Sequence, residues 1–572
     1  MRYFLLLILV LAACSSETSD APTNTSLDVL VDGVPANVSG VQPTPVENGE
    51  ARVAIFKGVV KPGNVYSAEL LRTIDTPAYM DIDTGVDGDP FWITQASVED
   101  ANGNVLWTDR VNTMFQLLEF LELVVEQTGS SSLNLNRAQL YAFVGQQYPA
   151  LLEFPVKVPV GIPGGKDFVL RVPNEDNVFV EVARVDIASA VENATPPLVE
   201  GKVTTLLQSG PASDRLDVVI LGDGYRAEDE EAFDLDAQVI AERLQETEPY
   251  ASQINMINIH KVFTPSVEKG AGYDCTGSAT TDAGCKEDLR DTVFGTTFVI
   301  TALADRLMLA LGESDRVAMP LEIARIFDVA VQAQYDEVIL ISNAKRYSGF
   351  AGVYVALVTT FGGNRNLMAD VAMHELGHSF GALGDEYQVD GDPCLFAEPR
   401  VPLPANIAAY TDDSFKWDRF FDGPVPIPTP TDRASEFPVG AYEGAYNCDF
   451  LYRPSRDCKM KSDESLPYCP VCTEQLVRRL YATTDPIVEP QVERLESGAL
   501  KFSVVVASDN LTATWFLNDA EFGTGPSVTV EGKDVDGSEN TLRVVVSDTS
   551  GRVRVEDPRT SQEQSWTIVV TQ

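Results

Sequence analysis

His374-Glu375-Leu376-Gly377-His378, continuing Ser379-Phe380-Gly381-Ala382-Leu383-Gly384-Asp385-Glu386-Tyr387, is the stretch on which the reading of this chain turns. The chain has three histidines, and two of them sit four residues apart here. On a helix that spacing puts both imidazoles on one face, where they can share a tetrahedral zinc ion. Glu375 projects beside them and suits a general base acting on a water bound to that metal. Asn364 and Asn366 can cap a helix beginning near Leu367, and Met368, Val371, Ala372 and Leu376 give it an apolar side to bury. Gly381 is the expected left-handed residue that ends the helix and turns the chain.

A catalytic zinc usually keeps three protein ligands and one open position. With one histidine left elsewhere, the third ligand is expected to be a carboxylate. Asp385 is preferred, because its short side chain follows the turn directly; Glu386 stays open as the alternative. His260 lies in Ile257-Asn258-Ile259-His260-Lys261-Val262, which alternates like a strand, and reads as a solvent-facing or hydrogen-bonded side chain.

Taken together, these segments resemble the M64 family of zinc endopeptidases, the IgA-peptidase group, within the metzincin-like clan. His374 to Tyr387 carries the first part of the likeness. Val218-Val219-Ile220-Leu221-Gly222-Asp223-Gly224-Tyr225 resembles the family's opening strand and LGDGY turn. Asp336 to Asn343, with Tyr347-Ser348-Gly349, resembles its central strand and following loop. Cys458-Lys459-Met460 and Cys469-Pro470-Val471-Cys472 resemble the segment with the methionine turn. The likeness spans roughly residues 210–485. It implies His374, His378 and Asp385 as zinc ligands, Glu375 as base and Met460 packed beneath the metal. Tyr387 is a candidate donor to the oxyanion, with plain packing as the alternative. The chain departs from the wider clan at Gly384, which occupies the usual third-histidine position one residue before Asp385.

Composition narrows the partners. With 572 residues the chain should hold several domains, and a net charge of −43 argues against nucleic acid. Arg2, the apolar run Phe4 to Val10 and then Leu11-Ala12-Ala13-Cys14 resemble a bacterial lipoprotein signal. That likeness implies a lipid on Cys14, a tether through Ser26 and residence in the cell envelope, at the outer membrane or surface. An ordinary signal peptide is the alternative. Seven cysteines then remain. Cys275 and Cys285 can pair, while Cys394, Cys448, Cys458, Cys469 and Cys472 surround the motif region. Export favours disulfides, and the odd count leaves at least one free thiol. A structural zinc held by Cys458, Cys469 and Cys472 is the rival reading.

The expected architecture is multidomain α+β. Residues 1–26 are signal and tether, and 27–200 a mostly-β accessory domain with a helix near Val111 to Gln127. Residues 201–485 form the metzincin-like zinc peptidase domain. There a helix is expected from Ala227 to Thr247, a helical insertion over 286–333, and at Val353 to Thr359 either a substrate-pairing edge strand or a buried strand with no substrate role. Residues 486–572 should form an immunoglobulin-like β-sandwich. The aspartates near Asp81 to Asp89 and Asp534 to Gly537 fit solvated turns better than calcium loops. The functional expectation is a zinc endopeptidase acting on extracellular proteins. A zinc exopeptidase and a surface binding lipoprotein with structural or vestigial zinc are the alternatives.

Overall fold

Val218–Leu221 and Val338–Ile341 are unbroken apolar runs, the pattern of strands covered on both faces. They lie side by side at the centre of a six-stranded sheet. The computed structural model describes residues 26–31, 34–35, 51–61, 65–76, 94–111, 152–173, 178–274, 288–299, 317–352, 355–388, 403–409, 414–446, 448–461, 465–537 and 539–571. The chain divides into two compact units, one of residues 47–484 with 552–555, the other of residues 1–46, 485–551 and 556–572. It is a mixed α+β protein, and among the described residues no helix is long and apolar enough to cross a membrane.

In the larger unit the sheet runs Lys202–Leu207, Ile257–Phe263, Leu216–Asp223, Glu337–Ser342, Val355–Thr359, Gly349–Gly352. The inner four strands pair in parallel, and the two outer strands are antiparallel to their neighbours. This corrects the expected edge. Val355–Thr359 is wholly buried, with Glu337–Ser342 on one side and Gly349–Gly352 on the other. The edge is the short strand Gly349–Gly352, whose two terminal glycines hide its strand character from a propensity reading.

A helix does follow the LGDGY turn, as Glu230–Glu246. Gly224 in that turn has φ +70, and a Cβ there would meet the Gly270 carbonyl oxygen at 2.2 Å. Tyr225 then donates to Asp236 on the helix (2.7 Å), and Arg365, first in the motif helix, pairs with the same carboxylate (2.6 Å). The turn thus anchors the helix that carries the histidines. Of the expected helical insertion, residues 286–287 and 300–316 lie outside the described residues. The remainder holds short strands at Thr297–Val299 and Val317–Met319 before a single helix, Ile323–Ala330. The described residues 94–111 end in the strand Val105–Val111, and the rest of the expected Val111 to Gln127 helix lies outside the described residues, as do Asp81 to Asp89.

Residues 51–186 contribute a three-stranded and a four-stranded antiparallel sheet. Strand alternation makes Ala51–Lys61 two-faced. Ala54 and Phe56 join a core with Phe154, Phe168 and Leu170, whereas Ala51, Val53 and Ile55 join the one holding Val219, Leu221 and Phe327. Lys157 also reaches across to Asp336 (2.7 Å), an ion pair shielded on both sides, and Asp336 accepts the Asp217 amide.

The smaller unit is all antiparallel. One sheet holds Leu511–Leu517, Ala520–Thr524, Glu539–Asp548 and Ser561–Thr571; the other holds Ile487–Arg494, Leu500–Val506 and Ser527–Val530. Trp515 stacks on Trp566 at 5.7 Å, with Phe502 edge-on to Trp566. The first sheet also takes in Ser26–Val31, paired with Ser561–Thr571 in register Ser26↔Thr571 to Leu30↔Thr567. A strand next to the expected tether therefore belongs to the C-terminal sheet, not to the 27–200 region where the sequence reading put it.

Candidate active site and metal centre

The motif helix runs Arg365–Ser379, with Asn364 as N-cap accepting from the Leu367 amide. His374 and His378 emerge on one face, and Asp385 returns to meet them. The three ligand atoms are close together. Asp385 Oδ1 lies 3.3 Å from His374 Nε2 and 3.2 Å from His378 Nε2, and the two nitrogens are 3.1 Å apart. A tetrahedral metal bonded at about 2.0 Å to each would need edges of about 3.3 Å, so the triangle fits one face of such a polyhedron.

The outer nitrogens fix the protonation. His374 Nδ1 is 2.8 Å from the Lys459 carbonyl and His378 Nδ1 is 2.7 Å from the Leu383 carbonyl. Carbonyls only accept, so each Nδ1 carries the proton and each neutral ring turns a lone pair inward at Nε2. Asp385 Oδ1 has no hydrogen-bond donor. Three lone pairs in contact with nothing between them are costly unless a cation or a proton joins them. Without a metal the protons come in. Burial opposes charge on both rings, but Asp385 outweighs it, raising His374 and pushing His378 up to about 9. Burial likewise works against the Asp385 carboxylate, yet the two imidazoles hold it well below the usual range.

The turn out of the helix departs from expectation. The left-handed residue is Ala382 (φ 50), not Gly381. Gly381 matters through close approach, since a Cβ there would meet the Gly377 carbonyl oxygen at 2.6 Å. Leu383 donates back to that same carbonyl at 3.0 Å, closing the turn. Glu386 leaves in the opposite direction from Asp385. Its Oε1 accepts from Asn406 (2.9 Å) and lies 3.3 Å from Cys472 Sγ. Burial raises its carboxyl well above the usual range.

Glu375 is nearly buried, against Gly349 of the edge strand. A Cβ at Gly349 would meet Glu375 Oε1 at 2.1 Å, so the missing side chain makes room for the carboxylate. Below the helix, a Cβ at Gly377 would strike Met460 Sδ at 2.5 Å, which places Met460 directly against the motif. Its turn grips both sides of the site: Lys459 accepts from His374, and the Met460 carbonyl accepts the Glu386 amide (2.7 Å). Tyr387 is half-buried.

His260 stands apart from this centre, 2% exposed, 3.2 Å from Asp217 Oδ1 and 3.1 Å from Thr205 Oγ1. Two residues escaped the sequence reading. Asn406 clamps the ligand turn, accepting from the Gly384 amide (2.8 Å) and donating to the Gly384 carbonyl (2.8 Å) as well as to Glu386. Tyr446 places its hydroxyl over Gly384, where a Cβ would approach it to 2.4 Å, and its amide donates to the Asp385 carbonyl (3.4 Å). Both lie in loops remote in sequence, and no local pattern singles them out.

Residues 204–438 match the profile of a family described as IgA Peptidase M64. This segment of the chain is similar to that family. The match points to a peptidase of a metallopeptidase family, a class that acts on protein or peptide substrates, and the His374–His378–Asp385 triangle suits the metal that family implies. The match stops short of Cys458, Met460, Cys469 and Cys472. No curated protein matches the chain. Among solved structures, an FMN-binding beta-glucuronidase from Facaelibacterium prausnitzii L2-6 overlaps at 9% identity, covering 90% of this chain and 73% of that one. Its TM-score of 0.11 lends it no weight.

Proposed function

We propose that the protein is a zinc-dependent endopeptidase, with His374, His378 and Asp385 as metal ligands and Glu375 as general base. The convergence of Nε2, Nε2 and Oδ1 at tetrahedral-face spacing, beside a glutamate lodged against a glycine, carries this reading. Zinc bound there would act as a Lewis acid towards the scissile carbonyl and the attacking water. Glu375 takes the proton of that water and passes it to the leaving amine. Tyr387 is the proposed donor to the carbonyl oxygen as it gains charge. An extended substrate adds along Gly349–Gly352, the terminal strand of the sheet, which brings its backbone past Glu375.

The setting belongs to the same proposal. The catalytic segment is read as metzincin-like, with Met460 as the methionine under the metal. Residues 486–572 are read as an immunoglobulin-like module, supported by the two antiparallel sheets and tryptophan-centred core there. The lipobox-like Leu11-Ala12-Ala13-Cys14 supports a lipid anchor on Cys14, and with it a bacterial envelope or surface enzyme acting on extracellular proteins.

Metal analysis combined with digestion of a peptide library by wild type and Glu375→Gln tests the reading. Bound zinc with internal cleavage by wild type alone is the expected result. Cleavage only at free termini would make it an exopeptidase. Zinc without cleavage by either form would replace the enzyme with a binding lipoprotein.

A further inference from the structure

Behind the site just described, four more side chains converge. Glu386, Cys458, Cys469 and Cys472 are all buried, and one ligand atom from each lies within 4.8 Å of the others. The three cysteines are free thiols. Cys458 Sγ and Cys472 Sγ are 3.7 Å apart. A disulfide needs about 2.05 Å, whereas two sulfurs on one tetrahedral zinc, each bonded at about 2.3 Å, sit about 3.8 Å apart. The 3.3 Å from Cys472 Sγ to Glu386 Oε1 is likewise close to a mixed sulfur–oxygen edge of such a polyhedron.

We infer that Cys458, Cys469, Cys472 and Glu386 form a second, closed metal site of structural type, suited to zinc. Two observations stand beside the spacing. Glu386 Oε2 is buried without a hydrogen-bond partner in a residue with no exposed surface, and a metal held there would supply one. The Cys469 amide donates to Cys458 Sγ at 3.3 Å, an amide–sulfur bond of the kind that stabilises thiolate charge. The local sequence builds the site cheaply. Cys469 is the N-cap of the helix Pro470–Thr483 and Cys472 lies in its first turn, while Cys458 arrives from the methionine turn.

The position gives this site a role in the neighbouring centre. Asp385 and Glu386 are consecutive, so one peptide unit would tie the two metals together. Cys458 immediately precedes Lys459, whose carbonyl orients His374, and Met460 accepts the Glu386 amide. A metal on the cysteines would thus brace the turn behind His374 and the backbone of Asp385. It would also keep three adjacent thiols from oxidising in a compartment that favours disulfides.

The full-length protein, purified without added metal, is the material for the test. Elemental analysis should find about two zinc ions per chain, and zinc X-ray absorption should show sulfur scatterers at about 2.3 Å together with nitrogen and oxygen. His374→Ala/His378→Ala should then retain one zinc with its sulfur scatterers intact. One zinc without sulfur neighbours in the wild type, or peptide mapping that finds Cys458 disulfide-bonded to Cys469 or Cys472, would overturn the inference. Neither readout involves catalysis, so peptidase activity could fail while this site stands, or the reverse.

Discussion

Asp385 and Glu386 are neighbours in the chain, yet they face two clusters of opposite character. Asp385 joins two imidazoles where its side chain keeps about a fifth of its surface exposed (21%). Glu386 joins three thiols and is wholly enclosed. Nitrogen and oxygen donors with solvent access suit a metal that must keep a position for water and substrate, whereas a sulfur-rich, closed shell suits one that only holds the chain. On the proposed reading, donor type and solvent access separate the two duties together, since a carboxylate is common to both clusters.

The sharpest way to break this contrast is Glu375→Gln. It should lower kcat by about 10²–10⁴-fold while both clusters keep their metal content. Steady-state kinetics alongside elemental analysis decides the matter, and unchanged turnover would remove the base from the mechanism. Gly349→Ala is predicted to cost about 10²-fold in kcat, since its Cβ claims the space of the Glu375 carboxylate. Metal content should hold, and a loss of zinc in this variant would mean that the strand supports the metal rather than the base.

Asn406→Ala probes both clusters at once, because Asn406 holds the Gly384 turn with one set of hydrogen bonds and Glu386 with another. Zinc affinity at the histidine centre should fall about 10–100-fold, as read by chelator competition. Unchanged affinity would show that the turn holds its shape unaided.

The smallest effect is one of pH. Without metal, the His378–Asp385 ion pair stabilises the fold fully below pH 6.5 and loses that contribution as pH rises through about 9. Zinc needs the neutral rings, so protons compete with it over the same range. The rise in Tm on adding zinc should therefore grow from pH 6.5 to 9. A zinc effect independent of pH would mean that protons do not occupy the centre.

Local pattern carried much of this protein. The i, i+4 histidines, the cap at Asn364, the buried strands around Val218 and Val338, and the C-terminal strands from Leu500 onward all follow from periodicities of two or 3.6 residues. Such periodicities depend only on which face a residue occupies. Where the sequence reading strayed, at Gly381 and at the edge strand, close backbone approach decided the outcome, which periodicity does not record. Glycine at 381 answers to a carbonyl four residues back, and the strand order depends on Gly349–Gly352 folding over Val355–Thr359.

By itself, then, the sequence determined a helix presenting two imidazoles and a glutamate, followed within one turn by a pair of carboxylates. It could not say which carboxylate goes where. Only the tertiary structure assigned Asp385 to the histidines and Glu386 to the cysteines, paired Ser26–Val31 with Ser561–Thr571, and brought Asn406 and Tyr446 to the turn. The physical reason is common to all of these. Backbone register and ligand convergence join residues tens to hundreds of positions apart, and their geometry is set by how whole elements pack.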